Sequence, residues 1–220
     1  VLWRRCSLGR AHARSWRRTC ALSAALLLSV ALAACGSTAR SSTSSSQAPT
    51  PGNTGLEGGL ILNPPQLEAP LVLRNYTGTP VSLAALRGKA VFVTFVYVHC
   101  PNVCPLIVSN LAAAQRTLGS AARNARFIAV TVDPKGDTPA AVKTFLTTRG
   151  ALGLDYLLGT RAEMLPVWRA WHVTVTLNSQ TLTHSDVVYG ISASGKLAIV
   201  LPSDFNSGQI VHDAALLQRS

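Results

Sequence analysis

The stretch Val91-Phe92-Val93-Thr94-Phe95-Val96-Tyr97-Val98 is an unbroken β-branched and aromatic run, and it ends at once in His99-Cys100-Pro101-Asn102-Val103-Cys104-Pro105. Such a run reads as a strand buried on both faces. After Pro105 the apolar positions Leu106, Ile107, Leu111, Ala114 and Leu118 recur at helical spacing. Proline is at home in a first helical turn, so the pattern predicts a helix opened by Pro105. Two thiols therefore fall on the corner between a buried strand and a helix N-terminus. There the macrodipole and the free N–H groups are expected to favour thiolate.

The rest of the chain supplies a sheet around that strand. Leu71 to Leu73 and Val81 flank the turn-rich Asn75-Tyr76-Thr77-Gly78, which predicts a hairpin N-terminal to the central strand. Ser82 to Gly88 reads as one capped helical turn closed by glycine. Phe127 to Val132 reads as a second buried strand ending in Asp133-Pro134, and Thr138-Pro139 as an N-cap with proline at the first helical position. Thr160-Arg161-Ala162-Glu163 has capping-box spacing, opening a helix to about Trp171 that Pro166 is expected to kink. Extended segments at 173–177 and 183–188, a hairpin turning at Ser194-Gly195 and a helix from about Ser207 to Gln218 follow. Strands separated by helices, ending in a hairpin and a helix, predict a mixed-sheet α/β domain over 60–220.

Charge misleads at first sight. The net charge of +11 invites a nucleic-acid reading, but Arg4, Arg5, Arg10, Arg14, Arg17 and Arg18 all precede residue 20. Without them 14 basic residues face 9 acidic ones, an ordinary solvated surface, and nucleic acid is not an expected partner. That Arg-rich start, the apolar run Ala21 to Leu32 and the ending Leu32-Ala33-Ala34-Cys35 have the layout of an export signal over 1–35. The apolar run holds 12 residues, too few for a hydrocarbon core that needs about 20. Its ending resembles the lipobox of bacterial lipoproteins, which implies lipidation at Cys35 and anchoring to the outer face of the cell membrane. Residues 36–59, rich in Ser, Thr, Gly and Pro, read as a flexible tether.

Processing also narrows the cysteines. On this reading Cys6 and Cys20 would leave with the signal, Cys35 would carry lipid, and the exported domain would keep Cys100 and Cys104. A pair four apart closes too small a loop to stabilise a fold appreciably, so chemistry explains it better than stapling. On a helical turn such residues have Cβ atoms about 5–6 Å apart. A disulfide needs about 3.5–4.5 Å. The spacing permits both states but leans towards two thiolates converging on one soft metal ion. Two sulfurs are too few for an iron–sulfur cluster or an all-sulfur zinc site, so a nitrogen donor is needed. His99, His172, His184 and His212 are the candidates. His99 should point away from Cys100 along an extended backbone, His172 sits at a helix end, and His212 lies in the last helix. His184 lies between extended segments, where functional side chains concentrate. Spacing alone leaves the donor open.

Phe92 to Phe95 followed by His99-Cys100-Pro101-Asn102-Val103-Cys104-Pro105 resembles the first motif of the Sco/SenC family. Val132-Asp133-Pro134 with Asp137-Thr138-Pro139 is similar to its second motif, and Thr183-His184-Ser185 with Tyr189 and Gly195-Lys196 to its third. The likeness runs from about Ala69 to Leu217 in the family's order. It implies a thioredoxin-like fold outside the cytoplasm, with a copper ion, Cu(I) or Cu(II), held by Cys100, Cys104 and His184. It also implies service to the binuclear copper centre of cytochrome c oxidase, with the copper-accepting subunit and a thiol reductant protein as partners. Asn102 stands where the family usually has Asp, removing a negative charge beside the thiols. Gly190-Ile191-Ser192-Ala193 also departs from the usual pattern.

Asp133 and Asp137 are expected near the metal, orienting the site; the plainer reading makes one a turn former and the other support for a helix N-terminus. Trp168 and Trp171 are expected to pack a helix on the sheet. The main rival is a thiol–disulfide reductase using the same pair without metal. A thiol peroxidase and a zinc-binding structural module are the others.

Overall fold

The computed structural model describes residues 55–177 and 182–220. The expected signal segment with Cys35, most of the expected tether and residues 178–181 lie outside them. No helix among the described residues is long and apolar enough to cross a membrane.

Among the described residues there are ten strands: β1 (Leu60–Leu67), β2 (Val72–Asn75), β3 (Pro80–Ser82), β4 (Ala90–Val96), β5 (Ala125–Thr131), β6 (Asp155–Leu158), β7 (Val175–Leu177), β8 (Leu182–His184), β9 (Val187–Ile191) and β10 (Lys196–Pro202). Four α-helices accompany them: α1 (Val103–Leu118), α2 (Pro139–Thr147), α3 (Arg161–Ala170) and α4 (Ser207–Leu217). Eight strands form one sheet in the order β1-β10-β9-β4-β5-β6-β2-β3, while β7 and β8 pair separately. The β4–β5 and β5–β6 pairs are parallel and the other pairings antiparallel. A parallel pair needs a crossover, which α1 and α2 supply.

Every residue of β4 is buried, as its apolar run predicts. Alternation along the strand divides the interior. Ala90, Phe92 and Val96 join one core with Ile107, Leu111, Phe145 and Ile210. Val91, Val93 and Phe95 join the other with Met164, Trp168 and Trp171. Both tryptophans thus pack α3 onto the sheet, and Trp168 Nε1 donates to the Thr131 carbonyl at 3.0 Å. The β2–β3 hairpin forms where expected, with Arg74 opposite Pro80. The Thr138 hydroxyl caps α2 by accepting from the Ala141 amide, and Thr160 with Glu163 closes a capping box on α3. Helix α3 runs on through Pro166, which lacks the N–H that would reach back one turn.

Two boundaries differ from the sequence reading. Helix α1 begins at Val103, two residues before Pro105, so Pro105 sits in the first turn, where a missing N–H costs nothing. Strand β1 contains Asn63-Pro64-Pro65 and runs antiparallel to β10 at the sheet's edge. Prolines belong at such edges, where no ladder partner is lost.

Candidate metal centre

The end of β4 and the start of α1 fix the two cysteines. The chain leaves β4 through Tyr97, turns with Cys100 N–H donating to the Tyr97 carbonyl at 3.3 Å, and enters α1 at Val103. Cys100 is partly exposed at the turn, whereas Cys104 is fully buried in the first turn of α1. The Cys104 amide, one of the free donors of the helix start, points at Cys100 Sγ at 3.5 Å. Both thiols are free.

His184 closes the group. Its Nε2 lies 3.5 Å from Cys104 Sγ. On the other side of the ring, Nδ1 lies 2.9 Å from the Ser185 carbonyl and 3.3 Å from Asp186 Oδ1. Two acceptors around Nδ1 call for a proton there, and in the neutral imidazole the Nε2 lone pair then faces the sulfur. The His184 side chain is only 3% exposed, so its orientation is held by packing. Tyr97, Cys100, Asn102, Leu182, His184 and Asp186 line a pocket of about 200 Å³ over the pair. Two sulfurs and one imidazole nitrogen gathered in this way could hold a soft ion.

The electrostatics correct one expectation. Burial pushes the Cys104 thiol far up, and its hydrogen bond with Cys100 adds to the effect; the Tyr97 backbone opposes it only in part. A helix start alone would favour thiolate at both cysteines. At Cys104 desolvation wins, because the sulfur points inward from α1 rather than along its axis to solvent. Burial, and then the two cysteines, also raise the Tyr97 phenol above its ordinary value.

The other sequence candidates lie elsewhere. His99 turns away from the pocket, and its ring nitrogen lies with carboxylate oxygens of Asp133 and Asp137, all within 4.8 Å of one another. Asp137 is engaged there by the fold itself. Its Oδ1 accepts from the Val98 amide at 2.9 Å, and its Oδ2 from the Thr131 hydroxyl at 2.6 Å and the Tyr156 hydroxyl at 2.7 Å. It braces the backbone two residues before Cys100. Asp133 accepts from the Gly136 amide at 3.1 Å, shaping its own loop. His172 is exposed beyond α3 with φ 54°, and His212 donates to the Gly55 carbonyl at 2.8 Å.

The SCO1/SenC family model matches residues 62–217. The chain belongs to the SCO1/SenC family. It is 29% identical over 147 residues to a Stutzerimonas stutzeri protein named for copper binding, an alignment covering 66% of this chain and 68% of that one. Over four further relatives named for SCO1 or SCO2 the alignments span 39 to 57% of their length. Among solved structures, Bradyrhizobium japonicum ScoI with copper bound superposes with a TM-score of 0.61 at 27% identity, covering 70% of this chain and 98% of that one. BsSco, described as a member of the Sco family of cytochrome c oxidase assembly proteins, shares the fold with a TM-score of 0.60 at 21% identity, over 75% of this chain and 98% of that one.

Within this Sco/SenC frame the structure adds two residues that the sequence reading did not single out. Asp186 and Tyr97 both line the pocket, one at the imidazole Nδ1 and the other against its ring. A carboxylate two residues after a candidate histidine was a usable signal for Asp186. Nothing in the buried run distinguished Tyr97 from its apolar neighbours. Asn102 is the N-cap residue of α1 but makes no side-chain cap bond.

Proposed function

We propose that this chain is a copper metallochaperone, holding copper between Cys100, Cys104 and His184 for assembly of the binuclear copper centre of cytochrome c oxidase. The observation that carries the reading is the 3.5 Å approach of His184 Nε2 to Cys104 Sγ with the ring's proton fixed on the far side. Two donors bound to one ion at roughly 2.0–2.3 Å each stand about 3.5 Å apart, so copper enters with little rearrangement. A cargo must also leave. The cysteines sit at the end of β4 and the start of α1, whereas the imidazole comes from β8, which pairs with β7 apart from the eight-stranded sheet, so release needs these two supports to part.

The two thiols must be reduced before loading, because a disulfide has no thiolate to give. A thiol reductant protein is thus one partner and the copper-accepting oxidase subunit the other. Lipidation at Cys35, with the Ser- and Thr-rich stretch between it and Gly55 as tether, would hold the domain on the outer face of the membrane beside that acceptor. Copper supplies no chemistry of its own here; the chain binds, shields and releases it. A second reading, a thiol–disulfide reductase, is favoured by the partly exposed Cys100 sulfur accepting the Cys104 amide.

Titration of the reduced protein with Cu(I) and Cu(II) separates the two readings. The metallochaperone reading expects one equivalent bound and at least a tenfold loss of affinity in His184→Ala, with disulfide-reducing activity retained. Wild-type copper affinity in that variant would overturn it.

A further inference from the structure

Among the described residues β7 and β8 pair with each other apart from the eight-stranded sheet, yet β8 carries the imidazole that must meet sulfurs fixed just after β4. Something has to tie the two together. Tyr97, the first residue after β4, does so from the cysteine side. Its hydroxyl donates to the Leu182 carbonyl at 3.2 Å, at the start of β8. Its ring meets the His184 ring edge-on, with centroids 5.7 Å apart and planes at 82°. The same side chain lines the pocket beside Cys100. One residue of the cysteine turn thus touches both the hairpin backbone and the imidazole. Within the hairpin itself, just beyond the Val175–His184 pair, the Thr174 amide reaches Ser185 Oγ at a longer 3.4 Å.

We propose that Tyr97 is the positioning residue of this centre, latching β8 through the Leu182 carbonyl and so holding the His184 imidazole over the sulfur pair. This rests on the reading of Cys100, Cys104 and His184 as the copper site. A phenol has one O–H proton, and giving it to Leu182 fixes the hairpin. An aromatic edge-to-face pair then limits rotation of the imidazole. Phenylalanine at this position keeps the ring contact and the packing but removes the latch.

The test is the Tyr97→Phe protein, alone and combined with His184→Ala. In the reduced, metal-free state, amide hydrogen exchange at residues 182–184 is expected to quicken while β5 keeps its protection. Copper affinity is expected to fall about five- to tenfold, the worth of one hydrogen bond, with one equivalent still bound. The thiolate-to-Cu(II) absorption band is expected to shift as the nitrogen donor loosens. In the His184→Ala background the second substitution is expected to add nothing, because its effect runs through the imidazole. Unchanged exchange at 182–184, or an equal loss of affinity with and without His184, would overturn the proposal. Failure of the wild type to bind copper at all would strike the site assignment instead, and the metal-free exchange experiment would still decide the latch.

Discussion

At Asp137 a buried carboxylate gathers donors from three parts of the fold: the Val98 amide after β4, the Thr131 hydroxyl of β5 and the Tyr156 hydroxyl of β6. Burial raises its carboxyl above the ordinary value, and those three donors oppose the rise. Truncation would strand the Val98 N–H and two hydroxyls in the interior, each at a cost of about 1–3 kcal/mol when unmet. Asp137→Ala is therefore expected to lower stability by about 2–4 kcal/mol and to weaken copper binding, since the freed backbone leads directly to Cys100. Asp133→Ala removes one loop hydrogen bond, and is expected to leave copper affinity within about twofold. Denaturant titration and copper competition on the two variants check the contrast. Equal effects on metal affinity would show that Asp137 does not brace the cysteine turn.

Among the elements, α3 shows what local signals can specify. Thr160 Oγ1 accepts from the Glu163 amide at 3.3 Å, and Glu163 Oε2 accepts from the Thr160 amide at 2.7 Å. Thr160→Ala is expected to cost about 1 kcal/mol by loss of the cap with copper affinity unchanged, measured by thermal unfolding and titration. That box was legible because its chemistry is local, as were the Thr138 cap, the buried β4 and the hairpins around Gly78 and Gly195. Strand β1 was not, because Pro64 and Pro65 argue against a strand until β10 is known to leave that edge free. The candidate site divides in the same way. Cys100 and Cys104 announce themselves by spacing, and His184 was singled out only by the resemblance to Sco/SenC motifs. The burial of Cys104 depends on which face of α1 meets the sheet, and the role of Tyr97 on where a separate hairpin folds back. Neither can be read before the tertiary contacts exist.

On the scale of the whole molecule, helix α4 and the residues just ahead of β1 close one side of the fold. Asp213 of α4 is fully buried. Its Oδ1 accepts the Glu57 amide at 3.0 Å, and its Oδ2 has no hydrogen-bond partner among the described residues. Burial pushes its carboxyl up to about 6, with the Glu57 carboxylate adding to the rise while the Glu57 amide and His212 pull the other way. An unfolded Asp titrates near ~3.9, so the folded state holds this proton more tightly than the unfolded one. Stability from this group is then fully present below about pH 4 and lost as pH rises through about 6. A gap of that width between the folded and unfolded carboxyl is worth roughly 3 kcal/mol. Asparagine resembles the protonated carboxyl in shape and carries no charge at any pH. Asp213→Asn should therefore flatten this part of the stability profile and leave the variant more stable than wild type above neutrality. Urea midpoints between pH 4 and pH 8 read it out, with His212→Gln as the control for the neighbouring imidazole. A variant that keeps the wild-type slope would mean that the buried carboxyl does not carry the proton, and that another group sets the pH dependence of the fold.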